Sequence, residues 1–458
     1  MKVRDLLTLD VEDLALGGNA LARHEGCVVF VDRGLPGDRI TARVSRAKRS
    51  FAEARLVSVD TPSANRIPAR CVHAGQCGGC RMQELPYEAQ ALLKQRQVAE
   101  TLRHLGGIPD ALVHPIVPAP SAWHYRNKME LSFLRAEDGT PVLGLHERGT
   151  FDRVFQLREC WIGSPLVAQV ATFTQRFAAE HRWPAYHQKR LDGIVRFLVV
   201  RHLALTGECA VHLVASSNDL PGLREWADGV AALSPDVKTV VLGINASRSN
   251  VAFMEREIPL IGSGTIVERL LGLEFEVVGN AFLQTNSAQA EKLYALALEA
   301  ARLDGSETVL DLYCGAGTLT LLFARAAAHA VGVESVADSI ERARRNAIRN
   351  GMTGVPFACG EARQVLREWA LGQRQGAVRP DVIVVDPPRA GLHPRVVVRC
   401  AELAPKRIVY VSCNPATLAR DLKDFAGLGY ALAEVTPVDM FPHTPHIECV
   451  ARLERAAG

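Results

Sequence analysis

The pattern of apolar and polar positions changes twice along the chain. Residues 1 to about 58 alternate short β-like runs with turns, as in GCVVFVDRGLPGDRITARVSRA, which reads as strand, Pro-Gly-Asp turn and strand. Such alternation is typical of a small β-barrel. A linker-like stretch, TPSANRIPARC, follows. The segment YEAQALLKQRQVAETLRHL then predicts a helix over residues 87–105, which ends at Gly106 and Gly107.

The second change comes after Asn286. Short β-like segments dominate from about 116 to 275, whereas the later pattern is strand, glycine loop, helix, strand and helix. That order is typical of a doubly wound parallel sheet. We therefore expect an α/β protein with a barrel at 1–58, a central β-rich domain at 59–275 and a Rossmann-like domain at 276–458. The helix at 87–105 is a candidate to pack on the last of these domains.

Composition narrows the class of protein. The chain has 458 residues, of which 48% are hydrophobic and 22% charged, as in a globular protein with more than one core. It has no apolar run long enough for a transmembrane helix, and its N-terminus, MKVRDLLTLDVEDLALGG, carries acids where a signal peptide needs an apolar stretch. An odd number of cysteines, 11, argues for reduced thiols in a cytoplasm.

A glycine loop marks a nucleotide-type site in the last domain. The strand TVLDLY runs into CGAGTLTL, in which Gly315 and Gly317 allow a sharp turn and a close backbone approach to a ligand. Glu334 ends the next strand, where it can accept hydrogen bonds from a ribose. Binding of NAD would use the same geometry. The loop lacks the third glycine of the dinucleotide pattern, and no lysine follows it, so S-adenosylmethionine is favoured.

Three further residues carry candidate chemistry. Asp386 follows a buried strand in DVIVVDPPRAGL, and Cys413 follows another in YVSCNPATLARDL. Cys413 is either a small buried hydrophobe or a nucleophile, because a thiolate attacks electrophilic carbon well. Glu448 lies within the apolar run HIECVARL, where a carboxylate must be partnered or functional because burying its charge is costly.

Four cysteines form a candidate metal site. Cys71, Cys77 and Cys80 have the spacing C-x5-C-x2-C, and Cys160 is remote. Four thiolates can bind zinc or a [4Fe–4S] cluster, and the spacing alone does not decide between them. Zinc ribbons usually pair two C-x2-C motifs, so this asymmetric set favours the iron–sulfur cluster.

Taken together, the motifs resemble those of the RNA uracil-5-methyltransferases. The resemblance rests on FLQTN (282–286), DLYCGAGT (311–318), DPPRAGL (386–392), YVSCNPATLARDL (410–422) and FPHTPHIECVARL (441–453). CVHAGQCGGC with the later Cys160 is similar to the iron–sulfur motif of the ribosomal RNA members. Residues 1–58 resemble their TRAM domain, which is an OB-type barrel.

The resemblance implies methylation of uracil C5 with S-adenosylmethionine as the methyl donor. In this family a cysteine adds to uracil C6, and the position matches Cys413. Glu448 matches the base that removes the C5 proton, and Asp386 would hold the uracil or the donor. The donor contacts carried over from the family are Gln284, Tyr313, Thr318, Glu334, Glu361 and Asp386. The implied ligands of a [4Fe–4S] cluster are Cys71, Cys77, Cys80 and Cys160.

RNA is the expected partner. Basic and aromatic residues recur in the stretch 39–55, in WHYRNKMELSF and in YHQKRLDGIVRFLVVRH, and such groups hold phosphates and stack on bases. Phe282 is a candidate stacking surface or a plain core residue. We expect 23S ribosomal RNA as the substrate, because the transfer RNA members mostly lack the barrel and the four cysteines. A transfer RNA enzyme and an inactive RNA-binding iron–sulfur protein are the alternatives, and neither a membrane nor an obligate protein partner is indicated.

Overall fold

A closed five-stranded barrel begins the chain. The computed structural model describes residues 1–456, and the barrel strands follow the order β1-β2-β3-β5-β4. Burial alternates along the first strand, so that Leu7, Leu9 and Val11 face the interior. The predicted N-terminal barrel is confirmed. Its strands are β1 (Leu6–Leu14), β2 (Ala20–His24), β3 (Cys27–Val31), β4 (Arg39–Ala47) and β5 (Phe51–Thr61).

One helix connects the barrel with the rest of the molecule. Helix α1 (Tyr87–Thr101) continues as a π-helical turn (Leu102–Gly106) and ends at Gly107, whose φ of +67° favours glycine. Leu93 belongs to the apolar core of the barrel, whereas Val98 belongs to the core of the last domain. Helix α1 therefore packs between the two.

A seven-stranded mixed sheet forms the centre of the chain, in the order β12-β11-β10-β9-β6-β7-β8. Two helices, which we did not predict, share its apolar core. The start of the first is signalled by Ser164-Pro165, an N-cap followed by proline at the first helical position. The elements are β6 (Lys128–Arg135), β7 (Pro141–His146), β8 (Val154–Gln156), α2 (Pro165–Glu180), β9 (Val195–His202), β10 (Cys209–Ala215), α3 (Leu223–Ala231), β11 (Val237–Ile244) and β12 (Arg256–Ile261).

A short hairpin, β13 (Ile266–Leu270) and β14 (Leu273–Val277), precedes the last sheet. Its apolar residues, such as Phe275, share one core with Val309 and Val384 of that sheet. The hairpin therefore packs on the last domain, although it precedes the predicted limit at 276. The residue limits of the three domains stay a prediction.

The last domain contains the expected doubly wound sheet. Its strand order is β17-β16-β15-β18-β19-β21-β20, in which all strands are parallel except β21, which is antiparallel to both neighbours. The strands are β15 (Thr308–Leu312), β16 (His329–Glu334), β17 (Phe357–Cys359), β18 (Val382–Val385), β19 (Arg407–Ser412), β20 (Tyr430–Val438) and β21 (Glu448–Arg455). The helices are α4 (Ser287–Ala301), α5 (Thr318–Ala324), α6 (Ala337–Arg349), α7 (Ala362–Ala370), α8 (Pro394–Glu402) and α9 (Pro415–Ala426).

The strand order locates a cleft. The chain proceeds outward from β15 to β17 and then returns to β18, so the direction of winding reverses between β15 and β18. Ligands of such sheets bind at the carboxyl ends of the strands beside this reversal. Among the helices of residues 1–456, none has the length and apolar character needed to cross a membrane.

Candidate active site

Several strand ends meet at one edge of the last sheet. The parallel strands finish there, and the antiparallel β21 begins there. Ser412 of β19 pairs with Cys449 of β21, so Cys413 and Glu448 are the next residues outward on neighbouring strands. Asp386 directly follows the adjacent strand β18. The fold therefore brings together three residues that are far apart in sequence.

A short polar turn holds Cys413. The Ser412 hydroxyl accepts a hydrogen bond from the Asn414 backbone N–H at 3.2 Å. The Asn414 side-chain oxygen accepts one from the Ala416 N–H at 3.1 Å and so caps helix α9, which begins with Pro415. Because the residue on its carboxyl side caps a helix, the half-buried thiol has a fixed backbone position between a strand and that helix.

The surroundings of Cys413 favour the protonated thiol. Burial raises the pKa of Cys413 to about 11, and the nearby carboxyl groups of Glu448 and Asp386 act in the same direction. The Arg389 guanidinium opposes them. In the free protein the thiol therefore needs help to ionise, from the loss of negative charge or from a cation.

The two carboxyl groups are also shifted. Burial raises the pKa of Asp386 to about 7. Burial and the neighbouring Asp386 raise the pKa of Glu448 well above its ordinary value, against the effect of Arg389. The Glu448 Oε2 atom is buried and has no hydrogen-bond partner among residues 1–456. A carboxyl group with a free oxygen and a raised pKa can take up a proton at neutral pH.

The glycine loop turns sharply at the end of β15. Tyr313 and Gly317 adopt positive φ angles, +67° and +82°. A Cβ atom on Gly317 would lie 3.0 Å from the Cβ atom of Ala343, so glycine is needed there for close packing as well as for conformation. The Gly315 N–H donates to Glu334 Oε2 at 3.2 Å, which ties the loop to the end of β16.

Two other predicted donor residues adjoin this loop: Glu334 contacts it and Thr318 directly follows it. Glu334 Oε1 accepts backbone hydrogen bonds from Ser335 and Val336, at 2.7 and 2.9 Å. Thr318 is the first residue of α5, and Glu361 directly precedes α7. The remaining predicted donor residue, Gln284, is buried beside the start of α4, where the Asn127 side chain donates to its backbone oxygen at 3.0 Å.

Two polar residues of the edge received no role in the sequence analysis. Asp311 is fully buried, its Oδ2 accepts a hydrogen bond from the Thr320 hydroxyl at 2.6 Å, and burial raises its pKa to about 7. Burial raises the pKa of Tyr294 on α4, and the acids Asp386, Glu448 and Asp311 raise it further. Both residues lie in apolar runs and therefore look like core positions in the sequence.

The segment that leads into Glu448 is held from outside its own domain. We call residues 439–447 the base loop. Lys94 of α1 forms an ion pair with Asp439 at 2.6 Å, and both side chains are completely buried. The Lys94 ammonium also donates to the backbone oxygen of Phe441 at 3.0 Å. Helix α1 thus fixes the beginning of the base loop.

Further contacts hold the middle of the base loop. The His443 N–H donates to the Gln90 side-chain oxygen at 2.9 Å, and the His443 ring stacks on Trp123 with centroids 3.9 Å apart. The Tyr125 hydroxyl donates to the backbone oxygen of Pro442 at 2.9 Å. These partners lie on α1 and before the central sheet.

The barrel also reaches the base loop. A Cβ atom on Gly18, in the turn between β1 and β2, would lie 3.0 Å from the Cβ atom of Pro445. The Arg81 side chain donates to the backbone oxygen of Gly17 at 2.7 Å, and the Arg81 N–H donates to the backbone oxygen of His443 at 2.8 Å. Arg81 therefore connects the barrel turn to the loop that carries the candidate base.

The four predicted cluster cysteines line one cavity. Cys71, Cys77, Cys80 and Cys160 all border a cavity of about 740 Å³ that residues of the central sheet, residues 280–283 and the base loop also line, and all four are free thiols. Burial raises the pKa of Cys71 to about 11 and that of Cys80 to about 12, and the other cysteines of the group add to both shifts. The four side chains are therefore close enough to repel one another as thiolates.

Hydrogen bonds bring the remote cysteine to the group. The Val72 N–H donates to Glu159 Oε1 at 2.7 Å, and the Arg158 N–H donates to the His73 ring at 3.1 Å. These bonds join the segment after Cys71 to the segment before Cys160.

The four cysteines have the ligand chemistry of an iron–sulfur cluster. Four partly buried thiols around one cavity are the ligand type that such clusters use, and the Gly79 N–H donates to the Cys77 sulfur at 3.4 Å, as is common for cluster sulfurs. Within residues 1–456, no group of three or more His, Cys, Asp or Glu side chains is placed so that it could hold a metal ion, so the four thiols have the chemistry of cluster ligands but not a closed ligand arrangement.

Phe282 is an exposed residue of the same cavity. Its side chain is 73% exposed at the rim of the cavity, so it is not a core residue. The alternative of a plain core position is therefore wrong, and its ring is available to a ligand.

Family models match most of the chain. A model described as tRNA (Uracil-5-)-methyltransferase matches residues 118–456, and a model of the TRAM domain matches residues 2–57. The TRAM match corresponds to the barrel, and the methyltransferase match covers most of the central domain and the whole described part of the last domain.

Individual relatives agree with these models. An uncharacterized RNA methyltransferase of Bacillus cereus is 38% identical over 97% of this chain and 95% of its own length. Another, of Nitratidesulfovibrio vulgaris, is 39% identical over 98% and 96%. The crystal structure of Pyrococcus abyssi tRNA (uracil-54, C5)-methyltransferase in complex with S-adenosyl-L-homocysteine matches with a TM-score of 0.77 at 30% identity, over 97% of this chain and 99% of that one.

These similarities span the barrel, the central sheet and the catalytic edge, and they confirm the resemblance seen in the motifs. The chain belongs to the S-adenosylmethionine-dependent RNA (uracil-5-)-methyltransferase family.

Proposed function

We propose that this enzyme methylates C5 of a specific uridine in 23S ribosomal RNA, with Cys413 as the nucleophile and Glu448 as the base. The observation that carries the proposal is the pairing of Ser412 with Cys449, which sets Cys413 and Glu448 side by side at the edge where Asp386 also ends a strand. A nucleophile and a separate base on neighbouring strands are what addition and elimination at one pyrimidine ring require.

The proposed reaction begins at Cys413. Its thiolate adds to uracil C6, a carbon–sulfur bond forms, and the electron pair of the C5–C6 double bond moves toward C5 and the C4 carbonyl. S-adenosylmethionine supplies the methyl group that the C5 carbon then takes. Burial raises the pKa of Asp386 to about 7, so its protonated form is available near neutral pH and can donate a hydrogen bond to the uracil while the negative charge develops.

Glu448 completes the reaction. In its ionised form the carboxylate removes the proton from C5, the double bond returns, and the carbon–sulfur bond breaks to release Cys413 as a thiolate. Burial favours the protonated product of this step, because the pKa of Glu448 is raised. The base loop fixes the direction from which the carboxylate approaches.

The target base must leave its stack to reach this edge. Flipping a base out of a helix costs a few kcal/mol, and stacking on an exposed aromatic ring offsets part of that cost. Phe282, at the rim of the neighbouring cavity, offers such a ring. It precedes Gln284, one of the proposed donor contacts, by two residues.

The choice of ribosomal RNA rests on the four cysteines rather than on the barrel. The Pyrococcus abyssi tRNA enzyme covers 97% of this chain, so its match extends over the barrel and the barrel cannot separate the two substrate classes. That match makes a uridine of transfer RNA the second candidate. An inactive RNA-binding protein is less consistent with the chain, because Cys413 and Glu448 are both present and adjacent.

We also propose that Cys71, Cys77, Cys80 and Cys160 hold a [4Fe–4S] cluster. The cluster would brace the loops of the central domain, and the methyl transfer needs no electrons from it. Protein purified without oxygen should be brown and carry about four irons per chain. Colourless protein that contains zinc would contradict the assignment.

Mapping 5-methyluridine tests the substrate. We expect one or more positions of 23S ribosomal RNA to lose the modification in cells that lack the gene and to regain it with the wild-type gene, while the C413A variant restores nothing. Loss confined to transfer RNA would establish the second candidate instead. Unchanged modification of both RNAs would contradict the proposed function.

A further inference from the structure

The cavity beside the four cysteines has a second, basic wall. Arg126, Lys128 and Arg201 line it together with the thiols, and the exposed Phe282 lines it as well. Lys128 is paired with Glu130. Arg126 and Arg201 form no ion pair with a carboxylate in the described part of the chain, so the wall carries two positive charges that the protein does not neutralise by direct contact.

Arg201 is the more unusual of the two. It lies on β9, only 1% exposed, and its Nη2 atom donates to the backbone oxygen of Gly279 at 3.1 Å and to that of Ala281. Its Nε and Nη1 atoms are buried without a hydrogen-bond partner. Burial lowers its pKa to about 10, which still leaves it charged at neutral pH. A buried cation with two free donors is costly unless an anion joins it.

Arg126 stands nearer the catalytic edge. It immediately follows Tyr125, which is bonded to the base loop, and its Nε atom donates to the backbone oxygen of Lys128 at 3.0 Å. His446 of the base loop lines the same cavity. The basic wall therefore extends from the central sheet toward Glu448, two residues beyond His446.

A phosphate group and a base match this wall. Guanidinium groups bind phosphate oxygens through two N–H groups at once, and an exposed aromatic ring stacks on any base. Arg126 and Arg201 supply the first kind of contact and Phe282 supplies the second. Single-stranded RNA offers both at the spacing of one nucleotide.

We propose that this cavity binds the phosphodiester next to the target uridine on Arg126 and Arg201, while the Phe282 ring stacks on the target base itself. The inference rests on the proposed function and adds a second RNA subsite between the cysteines and the catalytic edge. The competing explanation is that the two arginines only neutralise the negative charge of a cluster held by the four thiols.

Binding of a modified oligonucleotide tests the proposal. The probe is a short single-stranded RNA with one uridine among adenosines, prepared with phosphodiesters throughout or with one neutral methylphosphonate beside the uridine. Affinity is measured by fluorescence anisotropy for the iron-loaded wild type and for the variants R126Q, R201K and R224Q. Arg224 is an exposed residue of α3 outside the cavity, so R224Q is a control for the loss of one charge.

We expect the methylphosphonate to weaken binding to the wild type and to R224Q, and to have much less effect on R126Q. The salt dependence of binding should fall in R126Q by roughly 0.7 in the slope of log K against log salt, the value for one phosphate contact on a single strand. R201K, which keeps the charge but not the planar fork, should show a smaller loss. If R201K fails to fold, the effect of the methylphosphonate on RNA binding by R126Q decides between the two explanations.

Two results would overturn the proposal. One is an equal effect of the methylphosphonate on the wild type and R126Q at every linkage tested. The other is a loss of iron from R126Q and R201K with unchanged RNA affinity of the iron-loaded fraction, which would assign the arginines to the cluster. Because binding is measured without the methyl donor, these results are independent of whether Cys413 and Glu448 perform the proposed chemistry.

Discussion

The proposed nucleophile and the proposed base reach the same edge by different structural means. Cys413 is held by residues of its own domain: a buried strand before it and the capped helix α9 after it. Glu448 begins a strand of that domain, but the base loop before it is held by α1, by residues preceding the central sheet and by the barrel. The position of Cys413 is therefore determined locally, whereas the position of Glu448 depends on contacts with the other domains.

The difference assigns a second role to the N-terminal half. Its barrel and helix are not only a surface for RNA, because they also determine where the candidate base lies. Variants around Cys413 should therefore lose the addition step, whereas variants of the N-terminal half should impair the later step at Glu448.

Replacement of Cys413 should give the largest effect. C413A should abolish methyl transfer, because it removes the thiol proposed to add to uracil C6, while the fold and binding of S-adenosylmethionine remain near wild type. Activity is measured by methyl incorporation into RNA and stability by thermal unfolding. C359A, at an exposed cysteine, serves as the control and should remain active. Substantial activity of C413A would remove the proposed nucleophile.

Replacement of Glu448 by glutamine should stop the reaction one step later. Addition and methylation proceed, but the C5 proton stays, so an RNA–protein adduct accumulates and migrates slowly on a denaturing gel. The double variant C413A/E448Q should form no adduct. If E448Q transfers the methyl group to its substrate RNA but no adduct is found, Glu448 is not the base.

Disruption of the buried ion pair tests the dependence on α1. K94M leaves the Asp439 carboxylate buried without its cation and should lower the free energy of unfolding by about 3–5 kcal/mol. Release of the methylated product should slow, because the base loop loses its anchor, whereas donor binding should change little.

The control is the double variant K94M/D439L, in which both charges are removed. We expect it to regain most of the stability measured by denaturant unfolding, since an apolar pair can replace a buried ion pair at little cost. If K94M released product at the wild-type rate, the base loop would not depend on α1.

The pH dependence of thiol reactivity should show the smallest effect. Glu448 and Asp386 raise the pKa of Cys413, which lies at about 11, whereas Arg389 lowers it. At pH values where Glu448 is ionised, E448Q removes a negative charge, so alkylation of Cys413 by iodoacetamide should reach half its maximum at a lower pH. R389Q should move the midpoint to a higher pH. Mass spectrometry of the Cys413 peptide follows the reaction, and a shift in the opposite direction for either variant would contradict the electrostatic description.

The contrast between the two regions also explains what could be predicted from the sequence. Strand periodicity and the glycine loop are local signals, so they predicted that the last domain has a doubly wound sheet. Cys413 lies beside a helix cap and a proline, which are visible in a few adjacent residues. The barrel was likewise visible, because its alternation is local.

The residues that sequence reasoning missed depend on contacts between distant segments. Lys94 looks like an exposed position of an amphipathic helix, and only the fold shows that it is buried against Asp439. Tyr294 and Asp311 lie in apolar runs, and their position beside the other acids results from packing. The path that brings Cys160 to the other cysteines depends on loop contacts that the spacing does not encode.

The buried pair between Lys94 and Asp439 has a consequence for how the enzyme matures. The two residues are separated by 345 positions, so the contact cannot form until nearly the whole chain has been synthesised. Contacts of such sequence separation close large loops and form slowly. Chains that have folded their last domain but not yet docked helix α1 should bind the methyl donor without completing turnover. The onset of methylation during refolding therefore reports the final docking step rather than the folding of the catalytic domain itself.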